Sequence, residues 1–263
     1  MKRTLRSIGC FFAPFLLLFT ASAEGADGVA FEDIQFYYEV FPPYIYMNED
    51  DAVGTVIDAT LPILRKAHIK PKWQQATFGR IIRDIESGEM PVCATGYNGK
   101  AIEIRTFYAS EPVAWIPGTV LMILGSNRHL FEKHKSIGDV MSDEALRGGF
   151  LNGANYRGIS GEPVTLGPER HLFVGGSDTD LAILVARGRV HFAPVTEPQI
   201  AYLKSQSDIF GNLEAFAAQG LGVPRQVGIV CSNSVGEATW RRIEAAVPPL
   251  LSYEDYVARY LRP

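Results

Sequence analysis

An α/β fold is what this sequence predicts: mostly parallel sheets flanked by helices, laid out in two halves along the chain. Three observations predict it. Short apolar or aromatic runs, "IQFYYEV", "MPVCATG" and "GTVLMILGS", have the length and residue types of buried strands. Between them lie stretches of helical period, "TVIDATLPILRKAH" and "FGRIIRDIESGE". The alternation then resumes in a second half, and strand–helix alternation implies parallel strands with helices on the sheet faces.

In order, "IQFYYEV" is the first strand, and it must stop at Pro42-Pro43, because proline removes the donor that a ladder needs. Its end is dense in aromatics: Tyr38, Phe41, Tyr44 and Tyr46. The first helix puts Ile57, Leu61 and Leu64 on one face, with Pro62 as a local distortion. "KPKWQQA" reads as a second strand. The next helix carries Ile81, Ile82 and Ile85 on one face and stops at Gly88. "MPVCATG" is the third strand. In the second half, "LRGGFLNGANYRG" is a strand entering a Gly-rich turn. In "GSDTDLAILVARGRVHFAPVTE", Ser177 and Asp180 have capping-box spacing, Leu181, Leu184 and Val185 form the buried face, and Gly188 ends the helix before a new strand. After "VPRQVGIVCSNS", Trp240, Ile243 and Ala246 fall at helical spacing. In parallel sheets of this kind, ligands bind outside the carboxyl ends of the strands. The Tyr38 and Phe41 aromatics stand at such an end.

The first 23 residues, "MKRTLRSIGCFFAPFLLLFTASA", place Lys2, Arg3 and Arg6 before an apolar run that closes on Ala21-Ser22-Ala23. This is the pattern of a secretory signal peptide, with cleavage expected after Ala23 and a periplasmic destination. Cleavage removes three positive charges, taking the formal charge from −4 to −7. An acidic mature chain argues against nucleic acid or an anionic membrane as partner. Cys10 departs with the leader, so Cys93 and Cys231 remain, either as one disulfide or as two buried thiols.

Motifs of metal and nucleotide chemistry are missing from the sequence. His68, His129, His134, His171 and His191 form no i, i+4 pair, so no metal site is expected. "GYNGKA" lacks phosphate-loop spacing, and "GISGE" has Glu162 where a nucleophile elbow needs glycine. No cofactor and no catalytic residue are expected, and the protein is read as a non-enzyme.

The order of motifs resembles the periplasmic solute-binding proteins of extracellular family 3, which serve ATP-binding-cassette importers. The resemblance is carried by "FPPYIY", "GTVID", "FGRIIRDIESGE", "YASEPV", "GGFLNGANY", "LVARGRVHFAPVTE" and the late strand "VGIVCSNS". It implies a two-lobed clamshell with two hinge crossings, near Trp115–Gly118 and Val223–Val227, and a ligand cleft between the lobes. Lobe one would comprise residues 24–115 and 227–263, and lobe two residues 116–226. In the family's sheet order the strands of Cys93 and Cys231 are neighbours, which favours the disulfide.

The resemblance also assigns site residues. Phe41 and Phe78, with Tyr38 nearby, match aromatics that sandwich the ligand. Thr95, Tyr97 and Asn98 match a polar loop after the third strand, and Asn152 and Asn155 a turn and helix N-terminus in lobe two. Two anchors depart from the family's pattern. Where an arginine clamps the ligand carboxylate, seven residues before Ser110, this chain has Glu103, with Arg105 two residues on. Where an aspartate holds the ligand ammonium, it has Thr196, followed by Glu197. These departures imply a small polar solute, neutral or cationic, other than a standard α-amino acid. The partners implied are an importer permease or, alternatively, a sensory receptor or kinase; a monomer is expected. A dehydratase on the same fold is disfavoured by loss of the arginine clamp.

Overall fold

The computed structural model describes residues 30–98, 107–152 and 170–261. β1 (Glu32–Tyr38) alternates as a two-sided buried strand must: Ile34, Phe36 and Tyr38 face one core cluster and Tyr37 faces another. After the cis Pro42-Pro43 bond comes the small hairpin of β2 (Tyr46–Asn48) and β3 (Asp51–Val53). α1 (Thr55–Lys66) starts at Gly54, whose φ is 117°. A Cβ there would sit 2.4 Å from the Tyr44 carbonyl oxygen, so only glycine lets the helix begin so close to that backbone. β4 (Ile69–Gln75), α2 (Phe78–Ser87) and β5 (Val92–Tyr97) follow, and α2 ends at Gly88 in the left-handed region. Three helical faces differ in detail from the sequence reading: in the helix of residues 178–186, Leu184 is half-buried and Ala182 is buried. Ile63 and Leu64 are buried in α1 while Leu61 is half-buried, and in α2 Ile81 and Ile85 are buried while Ile82 is half-buried.

β6 (Phe107–Ala109) and β7 (Ala114–Ile116) precede β8 (Thr119–Leu124). The second half holds α3 (Arg128–Phe131), α4 (Ile137–Ser142), β9 (Gly149–Leu151), β10 (Leu172–Val174), α5 (Asp178–Ala186), β11 (Phe192–Thr196), α6 (Glu197–Gln206) and β12 (Leu213–Phe216). β13 (Arg225–Ser232), α7 (Glu237–Ala246) and α8 (Tyr253–Tyr256) complete the described chain. The predicted capping box forms: Ser177 Oγ accepts from the Asp180 backbone N–H, and Asp180 accepts from the Ser177 N–H.

Among the described residues the larger sheet runs β4-β1-β5-β13-β6, with β7 also on β13. β4, β1 and β5 are parallel, and β13 alone runs against its neighbours. The smaller sheet, β11-β8-β12, repeats this plan: β8 is antiparallel to both partners, and a bridge from Gly148 to Phe192 joins the parallel pair β9–β10 to it. In each sheet the reversed strand is the one that has just arrived from the other. The two passages touch where Thr119 N–H donates to Gly222 O (2.9 Å), and β7 pairs Ile116 with Arg225. Cys93 and Cys231 are register partners on β5 and β13 and form a disulfide, which settles the choice between bridge and thiols. The architecture is a two-sheet α/β clamshell.

Candidate functional site

β1 and β5 end, and α2 begins, on the same side of the larger sheet. Phe78, the first residue of α2, stacks on Tyr97, the last of β5, with ring centroids 5.9 Å apart. Glu39, just past β1, accepts the Phe78 backbone N–H. Burial first, and then the charge of Asp178, raise the Glu39 carboxyl above its usual range, with the Phe78 N–H opposing. Burial, with Glu39 adding, also pushes the Tyr97 phenol up. Glu39 is nonetheless exposed to water. A charge that is hemmed in by protein and still wetted lines a cleft.

The smaller sheet brings helix starts to the same place. Thr196 ends β11 and precedes α6; Asp178 is the first residue of α5. A hydrogen-bond chain links them to the other half. The Thr196 hydroxyl donates to Gln199 Oε1 (3.0 Å), so the single proton on the Tyr44 hydroxyl is the one shared across the 2.6 Å contact from Tyr44 to Thr196. Gln199 Oε1 also accepts the Thr196 N–H (2.8 Å), and Gln199 Nε2 donates to Asp178 Oδ2 (2.7 Å). Tyr44 and Thr196 lie 152 residues apart and are both buried. Burial raises the Tyr44 phenol well above its usual value. Burial lifts the Asp178 carboxyl to about 6, opposed by Gln199 and by the Arg225 charge. Arg225, at the start of β13, has its own charge disfavoured by burial and favoured by Tyr44 and Asp178.

The expected site residues divide. Phe78 and Tyr97 meet, and Thr196 joins the chain to Tyr44. Phe41 is half-buried and packs on Tyr44, 4.9 Å between centroids. Thr95 is fully buried inside β5, where its hydroxyl bonds that of Thr60 on α1 (2.8 Å), so it faces the core and not the loop expected of it. Asn98 is exposed after β5, and the Asn152 backbone N–H donates to Val174 O. Glu103, Arg105 and Asn155 lie outside the described residues, as does the Ala23 cleavage site. Tyr38 is buried against Trp73. With Pro42 and Tyr46 it lines a cavity of about 360 Å³ whose far wall is Thr179, Tyr202 and Gln206. Strand alternation puts Tyr38 on the face opposite Glu39, so this cavity neighbours the polar cleft without containing its charges. The cleft is the better candidate site because charges and fixed donors converge there.

Sequence reading missed Glu39, Asp178, Gln199 and Arg225. Only the Gln three residues after Thr196, a capping-box spacing, was a signal that could have found one of them.

No family model matches the chain, and no curated protein matches it in sequence. Solved structures do match in shape. The GluR0 ligand-binding core in complex with L-glutamate is 14% identical, with a TM-score of 0.66 over 90% of this chain and 100% of that one. An ancestral arginine-binding protein bound to arginine is 16% identical, with a TM-score of 0.63 over 88% and 98%. The arginine-, lysine-, histidine-binding protein ArtJ from Geobacillus stearothermophilus is 12% identical, with a TM-score of 0.62 over 82% and 88%. At these identities the likeness is one of fold: the chain has the two-lobed clamshell fold of the periplasmic binding proteins.

Proposed function

We propose that the protein is an exported solute-binding protein, not an enzyme, that captures a small polar molecule for an ATP-binding-cassette importer. On this reading residues 24–115 and 227–263 form lobe one, residues 116–226 form lobe two, and the leader is cleaved after Ala23 for release to the periplasm. The protein acts as a monomer that meets a membrane permease. The observation that carries the reading is the convergence of polar groups from both sheets, Glu39 and Tyr44 from one and Thr196 and Asp178 from the other, beside the paired passages at Thr119 and Gly222. A solute touching both lobes favours their closure by its differential affinity for the closed form. Among the described residues no helix is long and apolar enough to cross a membrane.

Candidate ligand contacts are Phe78, Tyr97, Thr196 and the exposed Asn98 and Asn152, with Phe41 and Tyr38 flanking; Glu103, Arg105 and Asn155 complete the expected set. The altered anchors at Glu103 and Thr196 led to the expectation of a solute other than a standard α-amino acid. That restriction gains no support from similar folds, which are described with arginine, glutamine and L-glutamate. Native mass spectrometry of the exported protein tests the reading, with a co-purified small molecule as the expected result. Small-angle scattering on adding that molecule should show a smaller radius of gyration; binding without compaction counts against the clamshell mechanism. The sensory alternative, supported by the likeness to the GluR0 ligand-binding core, is separated by genome neighbours: permease and ATPase genes, or a kinase or receptor gene.

A further inference from the structure

Two consecutive backbone N–H groups at the entry of β9 both end on histidine rings. Arg147 N–H donates to His191 Nδ1 (2.8 Å), and Gly148 N–H donates to His171 Nδ1 (3.1 Å). The rings come from different strand entries: His171 immediately precedes β10, and His191 immediately precedes β11. Backbone bonds of the same two entries close the junction. His191 N–H donates to Arg147 O (2.7 Å), and Leu172 N–H donates to Gly148 O (2.9 Å). Arg147 and Gly148 are thus the seam at which the β9–β10 pair joins the smaller sheet, beside the bridge from Gly148 to Phe192. A Cβ on Gly148 would stand 2.7 Å from both the Phe150 and the Phe192 ring, so no larger residue fits at this buried position. The His171 ring is buried as well, set edgewise on Phe150 (5.3 Å between centroids) and against Phe192 (6.2 Å).

A ring nitrogen that accepts from a backbone N–H must keep its lone pair. Both imidazoles are therefore neutral here, with the proton on Nε2. A second proton goes to Nδ1 and turns each acceptor into a donor aimed at another donor. The buried Gly148 N–H then loses its partner, a state that folded proteins avoid. The surroundings of His171 offer an imidazolium nothing in return. Burial first, and then the charges of Arg170 and Arg147, hold its value below the usual 6.5. Arg170 is anchored on the Met141 carbonyl at the end of α4 (3.0 Å), which keeps its charge in place. From β9 and β11 His171 faces the Phe150 and Phe192 rings, and the titratable group at the entry of β11 is His191 itself.

We propose that His171 and His191 form an acid-sensitive seam: neutral, they fasten the β9–β10 pair to the smaller sheet, and protonated, they release it. Because the two N–H groups sit on consecutive residues of one strand entry, both protonations act on the same junction. At the far end of the pair, Asn152 N–H donates to Val174 O (2.8 Å). On the solute-binding reading, release would loosen the Asn152 contact and weaken binding in acid. The seam itself does not depend on that reading, and it is tested without a solute.

Above about 6.5 His171 is neutral in both the closed and the opened seam, and nothing is lost. As pH falls below that value the opened form takes up the proton and the closed form resists. Opening should then grow by roughly tenfold per pH unit until the folded value is reached. Hydrogen exchange on the full exported protein, with no solute added and rates corrected for intrinsic exchange, reads this opening. Between pH 7.5 and 5, protection of the Gly148 and Leu172 amides should fall by about tenfold or more relative to Met122 and Ile123 in β8. His171→Asn and His191→Asn put an amide oxygen in the place of Nδ1 and take up no proton. The double variant should keep its protection at pH 7.5 and show a flat pH profile. His191→Asn alone, at the half-buried ring, should remove part of the acid dependence, and it serves where the buried substitution prevents folding. In the wild type, the His171 imidazole resonance should titrate below 6.5. A midpoint at or above 6.5, protection unchanged between pH 7.5 and 5, or wild-type acid dependence in the asparagine variants overturns the inference. Equal loss of protection in β8 also overturns it, since the seam would not be the part that opens.

Discussion

The two sheets share one plan, a parallel set interrupted by a single reversed strand, but they differ in what stabilises them and in what they bring to the cleft. The larger sheet is stapled by Cys93–Cys231 between β5 and its reversed strand β13. It presents rings and a strand-end carboxylate: Phe78, Tyr97, Tyr44 and Glu39. The smaller sheet has no cysteine in its described strands and relies on a packed aromatic cluster, Phe131, Phe150, Phe192 and Phe216. It presents helix starts, with Thr196 before α6 and Asp178 opening α5. The difference teaches that the larger sheet supplies the rings with one carboxylate and the smaller sheet an oriented hydroxyl and carboxylate, so a cleft between two such sheets receives both.

The largest expected effect breaks the asymmetry of the staple. Replacing both cysteines by alanine should destabilise the larger sheet by about 4–5 kcal/mol, the chain-entropy value for a loop of this length. Denaturant titration checks it, and hydrogen exchange should show the loss centred on β5 and β13. Equal loss of protection in β8 and β11 would mean that the two sheets unfold as one.

Next comes the contrast between core and slot on α2. Ile81 is fully buried, so Ile81→Ala should cost about 2–5 kcal/mol of stability. Phe78 is half-buried, so Phe78→Ala should cost less stability and instead weaken ligand binding by more than roughly tenfold, since burying a ring contributes ~1.5–3 kcal/mol. Melting curves and ligand titration on both variants decide the matter. A Phe78→Ala protein that melts as low as Ile81→Ala and binds normally would make Phe78 a core residue.

A smaller effect tests the link between the halves. Tyr44→Phe removes one buried hydrogen bond to Thr196, worth about 1 kcal/mol. The melting temperature should drop slightly, and scattering of the ligand-free protein should shift toward a larger radius of gyration. An unchanged radius would show that the bond does not hold the halves together.

A pH effect tests the smaller sheet by itself. Folding raises the Asp178 carboxyl from 3.8 to about 6, so its ionised form is less favourable in the folded state. The unfavourable contribution is absent below about 3.8, grows as pH rises through about 6, and is complete above it. Asp178→Asn should therefore raise the melting temperature at pH 7.5, and the gain should shrink toward pH 4. A pH-independent difference would assign the effect to packing.

Much of the fold was legible because it depends on local rules. β1 ends short of Pro42-Pro43, at Tyr38, Gly88 bounds α2, and Ser177 with Asp180 makes the capping box; each acts over a few residues. The disulfide was legible only through the sheet order that the resemblance implies. The helix faces were read with small errors at Leu61, Ile82 and Leu184, because a second layer of neighbours chose which side of each helix lay deepest.

The site was legible only in part. Phe78, Tyr97 and Thr196 were found through the resemblance, whose motifs fall at element ends: Phe78 opens α2, Tyr97 ends β5 and Thr196 ends β11. Thr95 was misread, since its hydroxyl finds Thr60 across the sheet–helix interface, a partner 35 residues away. Glu39, Asp178 and Arg225 have ordinary neighbours in sequence and become a group only when strand ends and helix starts from both sheets converge. The sequence by itself determined where strands and helices begin and stop, because those limits are set by backbone donors, φ and side-chain period. Only the tertiary structure decided which charges share a cleft, because electrostatic coupling depends on distance in space and on how little water remains between the groups.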